Sequence, residues 1–393
     1  MLKLYVVSKC FKMKIIHTIS SIDKSTGGPA RSVTNLIESV LSENSALEIV
    51  LNTLESENPI LNKFKSNKGS INFHQFGVFR YPKPLVLELK KLEVNLFHGH
   101  GLWQLPVHQM AKVARNKKVP YIITTRGMLE PWSLTQGKLK KQLALKLFQY
   151  KDLAKAACIH TTAQMEVESI RALGFKNPIA MIPNGVNIED FPKTLPQKEN
   201  KPKKILFLSR IHVKKGIENL IEAWQQLDFE IKKDWVIEIV GNGEENYINS
   251  LKDKIALEKL VSQIKIKPPV FGEDKIALFR EASLFVLPTF SENFGIVIAE
   301  SLASYTPVIT TKGTPWEDLK IHNTGWWIDI GVEPLKEALT IAMQTNENDL
   351  FEMGVNGRKL IENKYSMASV AKQMLQLYQW ILTKDNKPNF VDV

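Results

Sequence analysis

A chain of 393 residues is too long for one hydrophobic core, so two domains are expected. Hydrophobic residues make up 44% and charged residues 24%, as in a soluble globular protein, and no run of about 18 apolar residues is present to span a membrane. The net charge of +11 sits in residues 1–200, with 28 Lys and Arg against 15 Asp and Glu, while residues 201–393 hold 24 against 26.

A basic half suits an anionic membrane surface, a phosphorylated substrate or nucleic acid, and the absence of a finger, RNA-binding or helix-turn-helix signature disfavours the last. Cys10 and Cys158 are too few for a disulfide framework and lack metal-ligand spacing, which suits a reducing cytosol. Residues 1–12 are mildly basic and apolar, without a long apolar segment or a cleavage site, and read as an extension rather than a signal peptide.

Met13–Ile19 reads as the first strand. Ser25-Thr26-Gly27-Gly28-Pro29-Ala30-Arg31 follows, then a helical stripe at Ala30, Val33, Leu36, Ile37, Val40 and Leu41. Strand, double glycine and a proline in the first helical turn make a phosphate-ready helix start, or simply a tight turn. Residues 55–68 are polar and irregular. Asn95–Trp103 ends a strand, and Leu105–Arg115 reads as a helix. His98 reads as a satisfied core histidine, whereas His100, before Gly101 at a strand's C-terminal end, is placed for a ligand. Pro120–Thr125 is a further strand delivering Arg126, a residue that can grip phosphate or carboxylate but cannot serve as a base.

Residues 137–157 read as one helix with Leu139, Leu143, Leu147 and Tyr150 on a core-facing stripe. Lys138, Lys140, Lys141, Lys146, Lys151 and Lys155 surround that stripe, and membrane contact is the alternative to core packing. Two more strands, at 158–162 and 179–182, flank a helix from Ala163 to Leu173. The proline- and lysine-rich stretch 192–204 reads as the linker between domains at 13–191 and 205–365, with 366–393 as a final helix and tail.

The second half restarts with strand Ile205–Leu208 and a loop carrying Arg210 and Lys215, two cations able to neutralise a diphosphate or else simply solvated. Val236–Val240 ends in Gly241-Asn242-Gly243, but Asn246 breaks the dinucleotide fingerprint. Leu284–Leu287 is a buried strand stopped by Pro288. A helix starting near Phe294 would leave the N–H groups of Asn293, Phe294 and Gly295 pointing at an anion. Glu292 falls on the loop and Glu300 inside the helix; alone, Glu292 reads as a helix-entry acid and Glu300 as a solvated helix residue.

Together, Glu292-Asn293-Phe294-Gly295 and Glu300 resemble the E-x7-E signature of retaining family 4 glycosyltransferases of the GT-B fold, and the likeness extends over nearly the whole chain. The Arg-Gly-Met-Leu form at 126–129 resembles a branch of polysaccharide-building members. The resemblance implies an α/β protein of two doubly wound Rossmann-like domains facing a cleft, with the last helix crossing back to the first domain. It implies a nucleotide-diphosphate sugar as donor. Glu300 would hold the ribose diol, Val270 would lie near the base, and Gly27, Gly28, Gly241, Arg210, Lys215 and the 293–295 amides would serve the donor, with Glu292 on the sugar. His100, Arg126 and Trp316 would line the sugar or acceptor pocket, and a glycan or lipid-linked hydroxyl would be the acceptor.

No Asp-x-Asp triplet occurs, so neither metal nor cofactor is expected. Cytoplasmic location is expected from the cysteine usage, and peripheral membrane contact from the basic first half and the lysine-rich helix. Two departures stand out: Arg126 where many members carry histidine, and Tyr305 where many carry glycine. A non-catalytic nucleotide-sugar-binding protein and a GT-B epimerase or phosphorylase are the alternatives.

Overall fold

The computed structural model describes residues 13–61, 68–75, 82–194 and 202–392. The extension at 1–12, residues 62–67 of the irregular stretch and residues 195–201 of the linker lie outside the described residues. The chain divides into two compact units, one running to Pro183 and resuming at Val370, the other Asn184–Ser369.

The first unit is built on an eight-stranded sheet. In chain order its strands are β1 (Lys14–Ile19), β2 (Glu48–Leu54), β3 (Gly69–His74), β4 (Leu96–His100), β5 (Tyr121–Thr124), β6 (Cys158–Thr161), β7 (Ile179–Met181) and β14 (Val391–Asp392). Their order is β14-β7-β6-β5-β4-β1-β2-β3, parallel except for β14. β1 therefore pairs with both β2 and β4, and the chain reverses direction across the sheet at β1/β4. Ligands of open α/β sheets bind outside such a switch point. The last helix, Met367–Thr383, buries Val370, Met374, Leu377, Tyr378 and Ile381 at helical spacing. Each fully buried aliphatic side chain of this kind is worth roughly 1.5–3 kcal/mol.

The second unit holds β8 (Lys203–Leu208), β9 (Trp235–Val240), β10 (Ile264–Lys267), β11 (Leu284–Leu287), β12 (Val308–Thr311) and β13 (Gly325–Ile328), all parallel in the order β10-β9-β8-β11-β12-β13. Its switch point lies between β8 and β11. Parallel strands covered on both faces must be apolar throughout, and Leu284–Leu287 is buried at every position.

Three local expectations need correction. Residues 137–157 do not form one core-facing helix: helices Lys138–Ala144 and Tyr150–Ala154 flank a wider π-type turn at Leu145–Gln149. The leucine stripe faces outward, with Leu139 82%, Leu143 59%, Leu147 71% and Tyr150 51% exposed. The segment is held instead by its polar side. Buried Asp152 accepts from Arg115 at 2.8 Å and His108 at 2.7 Å, and Gln149 accepts from the Trp103 amide at 2.9 Å. Second, β2, β3 and the helix Lys83–Lys91 fall where no element was expected. Third, the helix expected near Phe294 starts at Ile296, because Gly295 adopts φ 76° and caps it from outside.

Tyr305 follows the Ile296–Ala303 helix at φ 62°, a left-handed geometry that glycine adopts without strain. Here the ring lies under the Arg358 guanidinium, 5.5 Å from the ring centroid.

Candidate functional site

In the second unit the loops after β8, β11 and β12 are stitched into one surface. The Phe290 N–H and Thr289 hydroxyl both donate to the Lys214 carbonyl at 2.9 Å, Thr311 Oγ1 donates to the Thr289 carbonyl at 2.5 Å, and the Glu292 N–H donates to Gly313 O at 2.7 Å. Gly216, at φ 67°, makes the closest approach: a Cβ there would meet the Pro288 carbonyl oxygen at 2.0 Å. This contact brings Lys215 beside the 288–295 loop, where its ammonium pairs with the Glu292 carboxylate. The two side chains are 12% and 16% exposed, so each charge is largely withdrawn from water and compensated by the other.

Glu300, on the following helix, has a cation of its own, Lys275, at 2.5 Å. Sequence reasoning missed Lys275, whose position in the first turn of the Gly272–Glu281 helix carried no motif. Arg210 is exposed and has no ion-pair or hydrogen-bond partner among the described residues. The amides of Asn293, Phe294 and Gly295 find no acceptor among the described residues, and Asn293 Oδ1 is buried without a partner. These unspent donors and one unspent acceptor lie between the two glutamates in sequence. They belong to the loop rather than to the first turn of the helix.

Trp316 does not line a pocket. It is fully buried, its ring 5.2 Å from Phe294 and 4.8 Å from Tyr365, and its indole N–H donates to the Phe294 carbonyl at 2.6 Å. It shapes the 288–295 loop from beneath. Gly241 has a packing reason to be glycine, since a Cβ there would meet Ser209 O at 1.9 Å, and Gly243 stands in the same relation to Ile211 O at 2.1 Å. Val270 is half-buried against the core, ahead of exposed Phe271.

In the first unit Asp23 organises the glycine loop, its carboxylate accepting from the Ser25 amide at 2.8 Å and the Asn58 amide at 2.7 Å. Gly27 (φ 73°, ψ −128°) caps the 16-residue helix Gly28–Glu43. A Cβ on either Gly27 or Gly28 would meet nothing within 4 Å, so the loop faces open space.

Arg126, at φ 53° just past β5, donates from one terminal nitrogen to Ser32 Oγ at 2.7 Å and from the other to His100 Nδ1 at 3.3 Å. Its Nε is buried without a partner, and desolvation lowers its pKa to about 10, still a cation at neutral pH. Glu166, unnoticed in the sequence, splints the turns after β5 and β6. It accepts from Thr125 Oγ1 and the Gly127 N–H, both at 2.6 Å, and from the Thr162 N–H and hydroxyl at 2.9 and 2.8 Å. A carboxylate spent on four donors is no nucleophile.

His98 is the satisfied core histidine expected, bonded to Tyr378 OH and Thr124 Oγ1 at 2.8 Å each. His100 is not a pocket-wall residue: it is 1% exposed, and both ring nitrogens are engaged, by Arg126 and by His17. It stands one layer behind Arg126. Burial, with the Arg126 charge adding to it, pushes the histidine pKa values down, to about 3 for His17 and about 4 for His160, and well below the usual value for His98 and His100.

Residues 189–360 match the family Glycosyl transferases group 1, and residues 70–185 match the Glycosyl transferase 4-like domain. The capsular polysaccharide biosynthesis glycosyltransferase CapM of Staphylococcus aureus is 28% identical over 235 residues, covering 57% of this chain and 59% of that protein. A phosphatidyl-myo-inositol mannosyltransferase of Mycobacterium leprae is 28% identical over 268 residues, 67% of this chain and 64% of that protein. The chain thus spans less than two thirds of the length of either relative. Among solved structures, Anabaena Alr3699/HepE in complex with UDP and glucose superposes with a TM-score of 0.72 at 16% identity, over 93% of this chain and 99% of that one.

Proposed function

The chain belongs to the group 1 glycosyltransferases of the GT-B fold, and from that premise we propose that it is a retaining transferase moving a sugar from a nucleotide diphosphate to a hydroxyl of a glycan or lipid-linked acceptor in cell-surface polysaccharide synthesis. One observation carries this reading: Glu292 and Glu300, each closed onto its own lysine, bracket a loop with unspent amides at the switch point of the second sheet.

In the proposed complex Glu300, paired with Lys275, takes the ribose diol. Arg210 and Lys215, joined by the amides of 293–295, stabilise the diphosphate as charge develops on it. Glu292 exchanges its lysine for a sugar hydroxyl. Within the first unit taken by itself, Gly27 and Gly28 form the open start of a helix, and Arg126 offers its remaining N–H groups to an anionic oxygen. The bond from the anomeric carbon to phosphate breaks while the acceptor oxygen bonds to the same face. The acceptor proton passes to the departing phosphate oxygen, and the nucleoside diphosphate leaves. The saturation of Glu166 supports this route, because a double displacement needs a free carboxylate and Glu166, bonded to the Gly127 N–H beside Arg126, is spent.

Peripheral contact with an anionic bilayer is part of the proposal. Its support is the exposed row Leu139, Leu143, Leu147 and Tyr150 among lysines, a face that water does not favour. Among the described residues no helix is long and apolar enough to cross a membrane.

The test is transfer to an acceptor with a defined donor, followed by NMR of the product's anomeric centre. Retention of the donor configuration is the expected result; inversion would require a different mechanism.

A further inference from the structure

Four buried histidines of the first unit stand in an unbroken series of hydrogen bonds whose direction is set at both ends. At one end the Arg126 guanidinium, which can only donate, faces His100 Nδ1 at 3.3 Å. At the other, His160 Nε2 faces the Ile182 carbonyl, which can only accept, at 2.9 Å. His100 accepts at Nδ1, so its neutral ring carries its proton on Nε2 and donates to His17 Nδ1 at 2.9 Å. His17 then donates from Nε2 to Tyr378 OH at 3.2 Å, which frees the tyrosine proton for His98 Nδ1 at 2.8 Å. His98 donates to Thr124 Oγ1 at 2.8 Å, and Thr124 donates to His160 Nδ1 at 2.8 Å.

Every ring nitrogen is used once, and all four rings carry the proton on Nε2. Each unprotonated nitrogen already receives a hydrogen, so an added proton would set two donors against each other. The same saturation leaves no lone pair for a metal, although ligand atoms of His17, His98 and His100 lie within 4.8 Å of one another.

The geometry points to a positioning role for this one-way chain: it fixes Arg126 as a cationic donor at the end of β5 and withholds His100, His17, His98 and His160 from acid–base work. Tyr378, on the last helix, is its middle link, so the docking of that helix within the unit and the setting of Arg126 depend on each other. The use of Arg126 on a substrate anion rests on the transferase reading; the chain itself does not.

The test is long-range proton–nitrogen NMR of the full protein labelled with 15N-histidine, which distinguishes Nε2–H, Nδ1–H and doubly protonated rings. The four chain histidines are separated from His74, His108, His212 and His322 by substituting the latter. The expected result is four Nε2–H rings, unchanged from pH 8 to pH 5.5; an Nδ1–H ring among them, or protonation within that range, would overturn the proposal. Arg126→Met removes the donor on His100 Nδ1 while the Ile182 carbonyl still sets the direction of the chain, so His100 is expected to keep its Nε2–H at pH 8 and to take a second proton on Nδ1 within the range. Ser32→Ala cuts the other tether of Arg126 and is expected to leave all four patterns in place. A folded Arg126→Met protein with the wild-type pattern at every pH would break the link between Arg126 and the chain, and if that variant does not fold, the wild-type spectrum decides. Failure of nucleotide sugars to bind would sink the transferase reading without touching the tautomers, and a wrong tautomer would do the reverse.

Discussion

Lys215 and Glu292, 77 residues apart in sequence, meet as an ion pair because Gly216 lets the loop after β8 touch the backbone of Pro288. The pair is poised rather than purely structural: both groups border the unspent amides of residues 293–295.

Glu292→Gln keeps the shape of the side chain and removes its charge, leaving Lys215 mostly desolvated and unpaired. We expect turnover to fall by about 10²–10³, the usual effect of removing one transition-state contact, and stability to fall by about 1–3 kcal/mol, less than for a fully buried pair. Lys215→Met/Glu292→Gln should recover part of the stability and none of the activity. Urea denaturation and a transfer assay on the wild type and the two variants test this, and wild-type turnover in Glu292→Gln would exclude Glu292 from the chemistry.

The two glycines after β1 should respond differently to alanine. Gly27 occupies backbone space that a side chain resists, so Gly27→Ala should destabilise by about 1–3 kcal/mol. Gly28 is in an ordinary helical position with open space around it, and Gly28→Ala should leave stability unchanged or raise it by up to about 1 kcal/mol. If the loop receives a ligand, Gly28→Ala should still raise KM; equal melting temperatures for the two variants would contradict the backbone argument.

Acid should unfold the first unit early. His17 and His160 fall from 6.5 to about 3 and about 4 on folding, and His98 and His100 move the same way. The unfolded chain therefore binds more protons below pH 6.5. The stability these neutral rings confer is complete above that value and is lost as pH falls toward 4, at up to about 1.4 kcal/mol per pH unit for each ring. Denaturant midpoints at pH 8, 7, 6 and 5 should be level at first and then drop steeply; a flat series to pH 5 would mean that the rings are not buried neutral.

Replacing Leu139, Leu143 and Leu147 by serine should barely change the melting temperature, because those side chains already face water. Flotation with vesicles rich in anionic lipid should be lost in the triple variant and weakened in the wild type by salt. Flotation that ignores anionic lipid content would remove the electrostatic part of the argument.

Much of this was legible in the sequence, and the losses have identifiable causes. Leu284–Leu287 followed by Pro288 could be read because a fully buried parallel strand must be apolar and a proline ends it. The stripe Leu139–Tyr150 misled because helical periodicity marks an apolar face without saying what covers it, and the anchoring contacts run through the polar Asp152 and Gln149. Trp316 was misplaced because a large aromatic near a loop serves equally as wall or floor; its buried indole bond to Phe294 O makes it floor. The histidine chain left little trace, since its members come from β1, β4, β5, β6 and the last helix, and only register places them side by side.

The most direct measurement is a thermal-shift panel with UDP-, GDP- and ADP-sugars on the wild type and Glu300→Ala. A ligand that binds only the folded state raises its melting temperature by mass action, by about 2.7 kcal/mol of stability at a hundredfold excess over Kd. The account predicts stabilisation by one nucleotide class and its loss or weakening in Glu300→Ala. No stabilisation by any of the three, or an equal shift in the variant, would contradict the assignment of the donor site.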